Sequence, residues 1–202
     1  MSRTILFVAV SFVSLATAGA QDPRSELTGA ERTALLKEVA ASKEFATAIK
    51  ESKKVVPVRV RTYTEAVDGK PEARFAEVLH FNYADGRTIR TVYNRTDGRI
   101  VRVESLEAYP TPLADSELAR AKQIAEKSEA RAEFVRRNGD RVEVTYLAPV
   151  IADPKHPLFG KRLVTLIYRT KADPKQADQT ADSLNVQVNL TDEELVKEPS
   201  KK

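Results

Sequence analysis

Hydrophobic positions repeat along the chain in two stretches, one beginning near Leu27 and the other near Leu113. In each stretch a polar amphipathic helix precedes a strand of alternating apolar residues. The matched positions are Leu27, Glu31, Ser42, Ala46, Ile49, Val56, Val58 and Val60 in the first stretch, and Leu113, Glu117, Ser128, Ala132, Val135, Val142, Val144 and Tyr146 in the second. Because a repeated pattern indicates a repeated unit of structure, the chain is predicted to contain one helix-plus-strands unit twice.

The first unit begins with a helix predicted over residues 28–50. Thr28 and Glu31 have the spacing of a capping box, in which each side chain accepts a hydrogen bond from the other residue's backbone N–H. Apolar residues then recur at near-helical intervals, namely Leu35, Leu36, Val39, Phe45 and Ile49. The period changes to two at Val56, Val58 and Val60, which predicts a half-buried strand after the helix.

Asp-Gly pairs predict the turns of the first sheet, because Asp-Gly tolerates the positive φ angles of tight hairpins. The pairs are Asp68-Gly69, Asp85-Gly86 and Asp97-Gly98. They separate strands predicted at residues 55–66, 73–83, 87–94 and 99–106. The first unit is therefore predicted to hold a four-stranded antiparallel meander.

The second unit follows Tyr109-Pro110-Thr111-Pro112, where the prolines interrupt the sheet pattern. A helix is predicted from Leu113 to Asn138-Gly139, with Asp115 or Ser116 near its cap. Three strands are predicted after it, at residues 141–151, 161–170 and 184–190. The sequence thus predicts an α+β fold with two tandem helix-on-antiparallel-sheet units, at 21–108 and 113–191, and a charged tail at 192–202.

The first twenty residues have the pattern of a secretory signal peptide. Arg3 precedes an apolar run from Ile5 to Val13, and Ala18-Gly19-Ala20 forms a cleavage box. We therefore expect an exported protein, periplasmic or extracellular, with an uncleaved anchor as the alternative. The sequons Asn94-Arg95-Thr96 and Asn189-Leu190-Thr191 would carry glycans in a eukaryotic secretory pathway.

The charge distribution and the lengths of the apolar runs argue against nucleic-acid binding and against a membrane span in the mature chain. The 33 basic and 29 acidic residues give a net charge of +4, with both signs interspersed. Single-strand nucleic-acid binders need a basic stripe interleaved with aromatic residues, which this sequence lacks. No stretch after residue 20 approaches the roughly 20 apolar residues of a membrane helix. We expect neither nucleic-acid binding nor a membrane span in the mature chain.

Candidate catalytic or metal-ligating residues are few. The chain has two histidines, His80 and His156, and no cysteine. His80 lies in a predicted strand, where we expect a surface or rim position. His156 lies in the loop Asp153-Pro154-Lys155-His156-Pro157, but two ligands make no metal site. Strand carboxylates such as Glu77 and Glu104 are expected to form cross-strand ion pairs with arginines. No catalytic, cofactor-binding or metal residue is predicted.

Three features occur in an order that resembles a known family. These are the segment Asp97-Gly98-Arg99-Ile100-Val101-Arg102-Val103-Glu104, then Tyr109-Pro110-Thr111-Pro112-Leu113, then a helix ending at Asn138-Gly139. The order resembles the passage between the second and third N-terminal domains of copper-containing amine oxidases. The resemblance covers roughly residues 27–190. It implies that each unit is a cystatin-like helix packed on an antiparallel sheet.

The resemblance implies a fold and no reaction. Amine oxidases hold copper through histidines of a C-terminal β-sandwich, where a tyrosine in Thr-x-x-Asn-Tyr-(Asp/Glu) becomes topaquinone. Asn82-Tyr83 is superficially similar to that motif, but Leu79 and Ala84 occupy the threonine and acidic positions. Tyr83 is therefore expected to be a packing residue. With two histidines, the chain is predicted to be neither a copper protein nor an enzyme.

Three hypotheses about function remain. The leading one is a non-catalytic exported module that contacts a protein or ligand by strand addition or face packing. The second is a carrier of a small apolar ligand, and the third is an accessory subunit or remnant of an amine oxidase that works with a separate catalytic chain. The candidates for ligand or partner contact are Phe75, Leu79, Phe81, Tyr93 and His156. The loops at 153–157 and 171–182 are either binding loops or solvated connections.

Overall fold

The computed structural model of the protein describes residues 26–50, 52–66, 72–171 and 182–196. The predicted signal peptide, the Asp68-Gly69 turn and most of the 171–182 loop lie outside the described residues. Within them, helices accompany two four-stranded antiparallel sheets whose strands are joined in sequence order. This confirms the predicted α+β fold of two units, whereas the unit boundaries stay a prediction.

The helical part of the first unit consists of α1 at Gly29–Ala41 and α2 at Lys43–Ile49. The capping box of Thr28 and Glu31 is present. The single predicted helix is interrupted at Ser42, which has extended backbone angles and whose Oγ accepts a hydrogen bond from the Phe45 N–H at 3.2 Å. Ser42 therefore ends α1 and caps α2, because its side chain satisfies an N–H that lacks a helical partner.

The first sheet contains β1 at Val55–Glu65, β2 at Ala73–Asn82, β3 at Arg87–Asn94 and β4 at Arg99–Leu106, in that order. These bounds lie within one residue of the predicted strands. A bulge between Pro57 and Arg59 shifts the register of β1 against β2.

The second unit begins with α3 at Asp115–Ala125 and α4 at Glu129–Asn138, followed by a 3₁₀ turn at Gly139–Arg141. The predicted helix is again divided, this time before Ser128, whose Oγ accepts from the Arg131 N–H at 3.3 Å. Its sheet has the order β5-β6-β7-β8. These strands are β5 at Val142–Leu147, β6 at Leu163–Thr170, β7 at Ser183–Asn189 and β8 at Glu194–Leu195.

The prediction of three strands in the second sheet is wrong, because β8 adds a fourth strand inside the predicted tail. Its turn is built like two turns of the first sheet. Each begins with a buried asparagine whose Oδ1 accepts from the backbone N–H two residues later, as seen for Asn82, Asn94 and Asn189. Each has a residue with positive φ four positions after that asparagine, namely Gly86, Gly98 and Glu193. The asparagine side chain thus reverses the chain before β8 without an Asp-Gly pair.

One face of the first sheet packs against its own helices. Ala76 and Val78 of β2 lie in a buried cluster with Leu35 and Val39 of α1 and Phe45 of α2. This is the helix-on-sheet arrangement that the sequence predicts.

The opposite face of the same sheet packs against the second unit. Leu79, Phe81 and Tyr83 belong to a cluster that also contains Ile124 of α3 and Leu166 of β6. We call this cluster the interunit core. The two units therefore share buried apolar surface.

Backbones also approach closely where the units meet. Gly86 has φ +68°, and a Cβ placed on it would lie 2.0 Å from the Gly160 carbonyl oxygen. Only glycine fits at this position, because any side chain would collide with backbone of the β5–β6 connection.

Candidate functional site

A buried ion pair lies at the junction of the two units. The Arg162 Nε and Nη2 groups donate to Glu117 Oε1 and Oε2 at 3.1 and 3.0 Å. The Tyr83 hydroxyl donates to Glu117 Oε1 at 2.6 Å, and the Ala114 N–H donates to Oε2 at 2.8 Å. Both carboxylate oxygens are thus fully engaged inside the protein.

Arg162 has further partners on the linker between the units. Its Nη1 donates to Thr111 Oγ1 at 2.7 Å, and its Nη2 donates to the Pro112 carbonyl at 2.5 Å. The guanidinium carbon lies 4.8 Å from the centre of the Phe81 ring. A group with so many internal partners positions the linker and is not free to meet a substrate.

Tyr83 has the packing role expected from the sequence. Burial, followed by its bond to Glu117, raises the pKa of Tyr83 far above its usual value. Its ring meets Phe81 edge-on, with centroids 5.0 Å apart. The hydroxyl is therefore held as a hydrogen-bond donor within the interunit core.

The predicted contact residues Phe75, Leu79, Phe81 and Tyr93 do not come together as one site. The first three alternate along β2 on the face that meets the second unit. Tyr93 lies on the helix-covered face, where its hydroxyl donates to Glu38 Oε1 at 2.7 Å. Burial, followed by this bond, raises the pKa of Tyr93 to about 12. A single pocket cannot be lined by all four, and their contact role stays a prediction.

The predicted surface or rim position of His80 is wrong. His80 is only 5 % exposed, and its ring centre lies 4.6 Å from that of Phe45. It shares the alternating positions of Ala76 and Val78 on β2, so it faces the helices. Its Nδ1 has no hydrogen-bond partner among the described residues. Burial lowers the pKa of His80 to about 4, which keeps the ring neutral near pH 7.

The expected cross-strand ion pairs are present on the face of the first sheet opposite the helices. Glu77 is buried and pairs with Arg61 of β1 at 2.7 Å and with Arg90 of β3 at 2.6 Å. Arg90 also contacts Glu104 of β4 at 3.4 Å. This chain of charges joins four strands and leaves Glu77 compensated on both sides.

His156 lies beside a groove of about 780 Å³. Its Nδ1 accepts from the Leu158 N–H at 3.1 Å, so the proton of the neutral ring is on Nε2. The apolar side chains that line this groove are Ala130, Ile151, Pro157, Leu158, Leu184, Val186, Leu195 and Val196. Its size and apolar lining are those of a small-molecule site. We call it the His156 groove.

Strand β5 is an exposed edge of the second sheet. Its inner neighbour is β6, and no other described strand pairs with it. Every residue from Glu143 to Leu147 is exposed. Three of them are large and apolar, since Val144 is 40 %, Tyr146 is 43 % and Leu147 is 60 % exposed. An apolar edge of this kind is a template for pairing with another strand. Sequence reasoning assigned these residues to the sheet and missed their exposure.

The asparagines of the two sequons stabilise turns. Asn94 and Asn189 are buried, and their Nδ2 groups donate to Asp97 and Asp192 at 2.9 and 2.7 Å. Both amides are therefore committed to turns in the folded protein.

The described residues contain neither a cluster of metal ligands nor a membrane-spanning helix. Across 26–50, 52–66, 72–171 and 182–196, no three His, Cys, Asp or Glu side chains are grouped so as to hold a metal ion. The same part of the chain contains no helix long and apolar enough to cross a membrane.

Comparison with known proteins shows a likeness of fold. The chain matches no family model and no curated protein. Among solved structures it is similar to a copper-containing benzylamine oxidase from Hansenula polymorpha, with a TM-score of 0.52 and 14 % identity. The match covers 87 % of this chain and 29 % of the oxidase chain. The chain therefore shares the fold of part of a copper amine oxidase and spans less than a third of its length. Its correspondence to particular N-terminal domains stays a prediction.

Proposed function

We propose that this chain is a non-catalytic binding module that contacts another protein through the edge of β5. The observation that carries this proposal is the exposure of Val144, Tyr146 and Leu147 on an edge strand. Natural sheets usually protect their edges with charges, prolines or bulges. The sheet edge at β1 has such protection in Pro57 and its bulge, whereas β5 has neither a proline nor a bulge.

Strand addition explains how β5 would recognise a partner. The outward N–H and C=O groups of an edge strand bind the backbone of an extended segment, and alternate side chains select it. Val144 and Tyr146 lie on one face of the sheet and Leu147 on the other. We therefore expect a partner segment with apolar side chains at alternate positions.

The predicted signal peptide and the match to part of a longer oxidase chain bear on where a partner would be found and what it could be. Export would place the partner in the periplasm or outside the cell. In the oxidase, the matched region is accompanied by a much longer remainder of chain. A region with this fold can therefore work as one part of a larger assembly, and a separately encoded chain could supply the rest here.

Capture from the envelope fraction of the source cells tests the proposal with matched baits. The baits are the mature chain, Tyr146→Lys on β5, and Val101→Lys on β4, where Val101 is 54 % exposed. We expect the wild type and the Val101→Lys control to retain the same protein and Tyr146→Lys to lose it. Retention that is unchanged in Tyr146→Lys, or no specific retention by any bait, would contradict the proposal.

A captured amine oxidase would give the module a particular role. Amine turnover by the mixture, and none by either chain alone, would identify this chain as an accessory subunit. Turnover that is independent of this chain would leave it as a binding module only.

The His156 groove supports a second candidate function, the carriage of a small apolar ligand. Its volume of about 780 Å³ suits a small molecule, and its His156 Nε2–H can donate to an oxygen of that ligand. Native mass spectrometry of the purified mature chain, together with elemental analysis, tests it. A retained small molecule that is lost in His156→Ala supports carriage, and a clean apo mass in both proteins counts against it.

A further inference from the structure

We infer that β5 pairs with β5 of a second copy of this chain, in an antiparallel register centred on Val144. The inference rests on the proposed function, because it uses the same open edge. The partner that it names is a second copy of the same edge. Self-pairing would therefore compete with the binding of other proteins at β5.

The alternation of β5 limits the possible registers. In a continuous sheet with a two-fold axis perpendicular to it, two opposed residues have their side chains on the same face of the sheet. The residue numbers of an opposed pair therefore differ by an even number. Centring on Val144 places Val142 opposite Tyr146 and Glu143 opposite Thr145. The apolar face of each strand then continues into the apolar face of the other.

Neighbouring registers are less favourable. Centring on Glu143 would set two carboxylates directly opposite each other, which is destabilising. Centring on Thr145 would set Glu143 against Leu147, so that each carboxylate would lose solvent to an apolar neighbour. The Val144 register also pairs apolar with apolar, and it avoids both conflicts because Glu143 then lies beside the Thr145 hydroxyl.

The contact is expected to be weak. A pair of six-residue strands buries much less surface than the roughly 1,600 Å² of a standard stable interface. Reversible association at high protein concentration is the expected behaviour. A partner with a longer segment would displace the second copy.

Single cysteine variants test the register, because the natural chain has no cysteine. Opposed residues of an antiparallel pair have Cα atoms about 4.5–5.5 Å apart, within the range of roughly 4.4–6.8 Å that a disulfide spans. Val144→Cys should therefore form a disulfide-linked dimer under mild oxidation. Tyr146→Cys is the matched control, since it is equally exposed and its mate would lie about 13 Å away.

We expect Val144→Cys to dimerise at least about ten times faster than Tyr146→Cys, and we expect sedimentation equilibrium of the wild type to show concentration-dependent dimers that Val144→Lys abolishes. Equal rates for the two cysteine variants, or a wild type that stays monomeric, would overturn the inference. If dimers fail to form while capture still depends on Tyr146, only the self-pairing is wrong. If dimers form while capture ignores Tyr146, the self-pairing stands and the proposed function is wrong.

Discussion

Arg162 and Glu117 form a bidentate ion pair in which the two side chains are 5 % and 4 % exposed, respectively. Glu117 lies on α3, and Arg162 immediately precedes β6. The Tyr83 hydroxyl, from the end of β2, joins the same carboxylate. One buried pair thus links the first sheet, the interunit linker and the second unit. Its role follows from this placement, since it fixes how the units meet.

Removing one member of this pair should destabilise the fold strongly. Arg162→Met leaves the Glu117 carboxylate buried without its counter-charge, and we expect a loss of about 3–5 kcal/mol in the free energy of unfolding. The double variant Arg162→Met/Glu117→Gln should lose less than the single variant. Urea denaturation measures both. The control is Asp182→Asn, which breaks the exposed pair with Arg137 and should cost less than about 1 kcal/mol. Equal losses for the buried and exposed pairs would refute this role.

The close approach of Gly86 to Gly160 gives a second prediction. Gly86→Ala should cost about 1–3 kcal/mol more than Gly98→Ala, because its Cβ collides with backbone whereas the nearest atom to a Cβ at Gly98 is 3.7 Å away. Both glycines have positive φ, +68° and +66°, so the control carries the same backbone strain. Thermal unfolding of the two variants measures the difference. Equal melting temperatures would mean that the units do not touch at Gly86.

The buried His80 predicts a dependence of stability on pH. Its folded pKa of about 4 lies below the ordinary value of 6.5, so the unfolded chain binds the proton more tightly. Stability is therefore lost as the pH falls from about 6.5 to about 4, by roughly 3 kcal/mol. His80→Leu should not show this part of the loss. Denaturant unfolding of the wild type and of His80→Leu at pH 7 and pH 4 measures this contribution. Equal losses of unfolding free energy in the two proteins would mean that His80 is exposed to solvent.

The turn that begins at Asn189 should be necessary for β8. Its Oδ1 accepts from the Thr191 and Asp192 N–H groups at 3.0 and 3.2 Å. Asn189→Ala leaves both unpaired and should cost about 1–3 kcal/mol. Amide hydrogen exchange at Val196, whose N–H donates to the Gln187 carbonyl of β7 at 2.9 Å, should accelerate, since β8 has only two residues. Asn185→Ala, at an exposed position of β7, is the control and should change stability by less than about 0.5 kcal/mol. Slow exchange at Val196 in Asn189→Ala would mean that β8 forms without this turn.

The sequence predicted the strands of the first sheet well because each physical signal for them is local. Strands joined by Asp-Gly turns need only alternation and the right turn residues. The missed strand β8 had a local signal too. Asn189-Leu190-Thr191-Asp192-Glu193 follows the pattern of Asn94-Arg95-Thr96-Asp97-Gly98, with glutamate in place of the glycine at the positive-φ position.

The interunit core was harder to predict because it depends on contacts between distant segments. All residues of β2 from Ala76 to Asn82 are buried. In the sequence, Val78-Leu79-His80-Phe81 is a nearly continuous apolar run, which is typical of a strand covered on both faces. This is the signal that could have placed His80 inside and the second unit against Leu79 and Phe81. The exposure of β5 had no such signal, since Val142, Val144 and Tyr146 alternate like a half-buried strand. Their exposure depends on how the elements pack, which the strand's own residues do not encode.

Amide hydrogen exchange on the isolated complex with the captured partner tests the central claim most directly. The account predicts that binding slows exchange in residues 142–147 of β5 and leaves β4 of the first sheet unchanged. Protection that instead falls on the residues around the His156 groove, with β5 exchanging as fast as in the free protein, would contradict it.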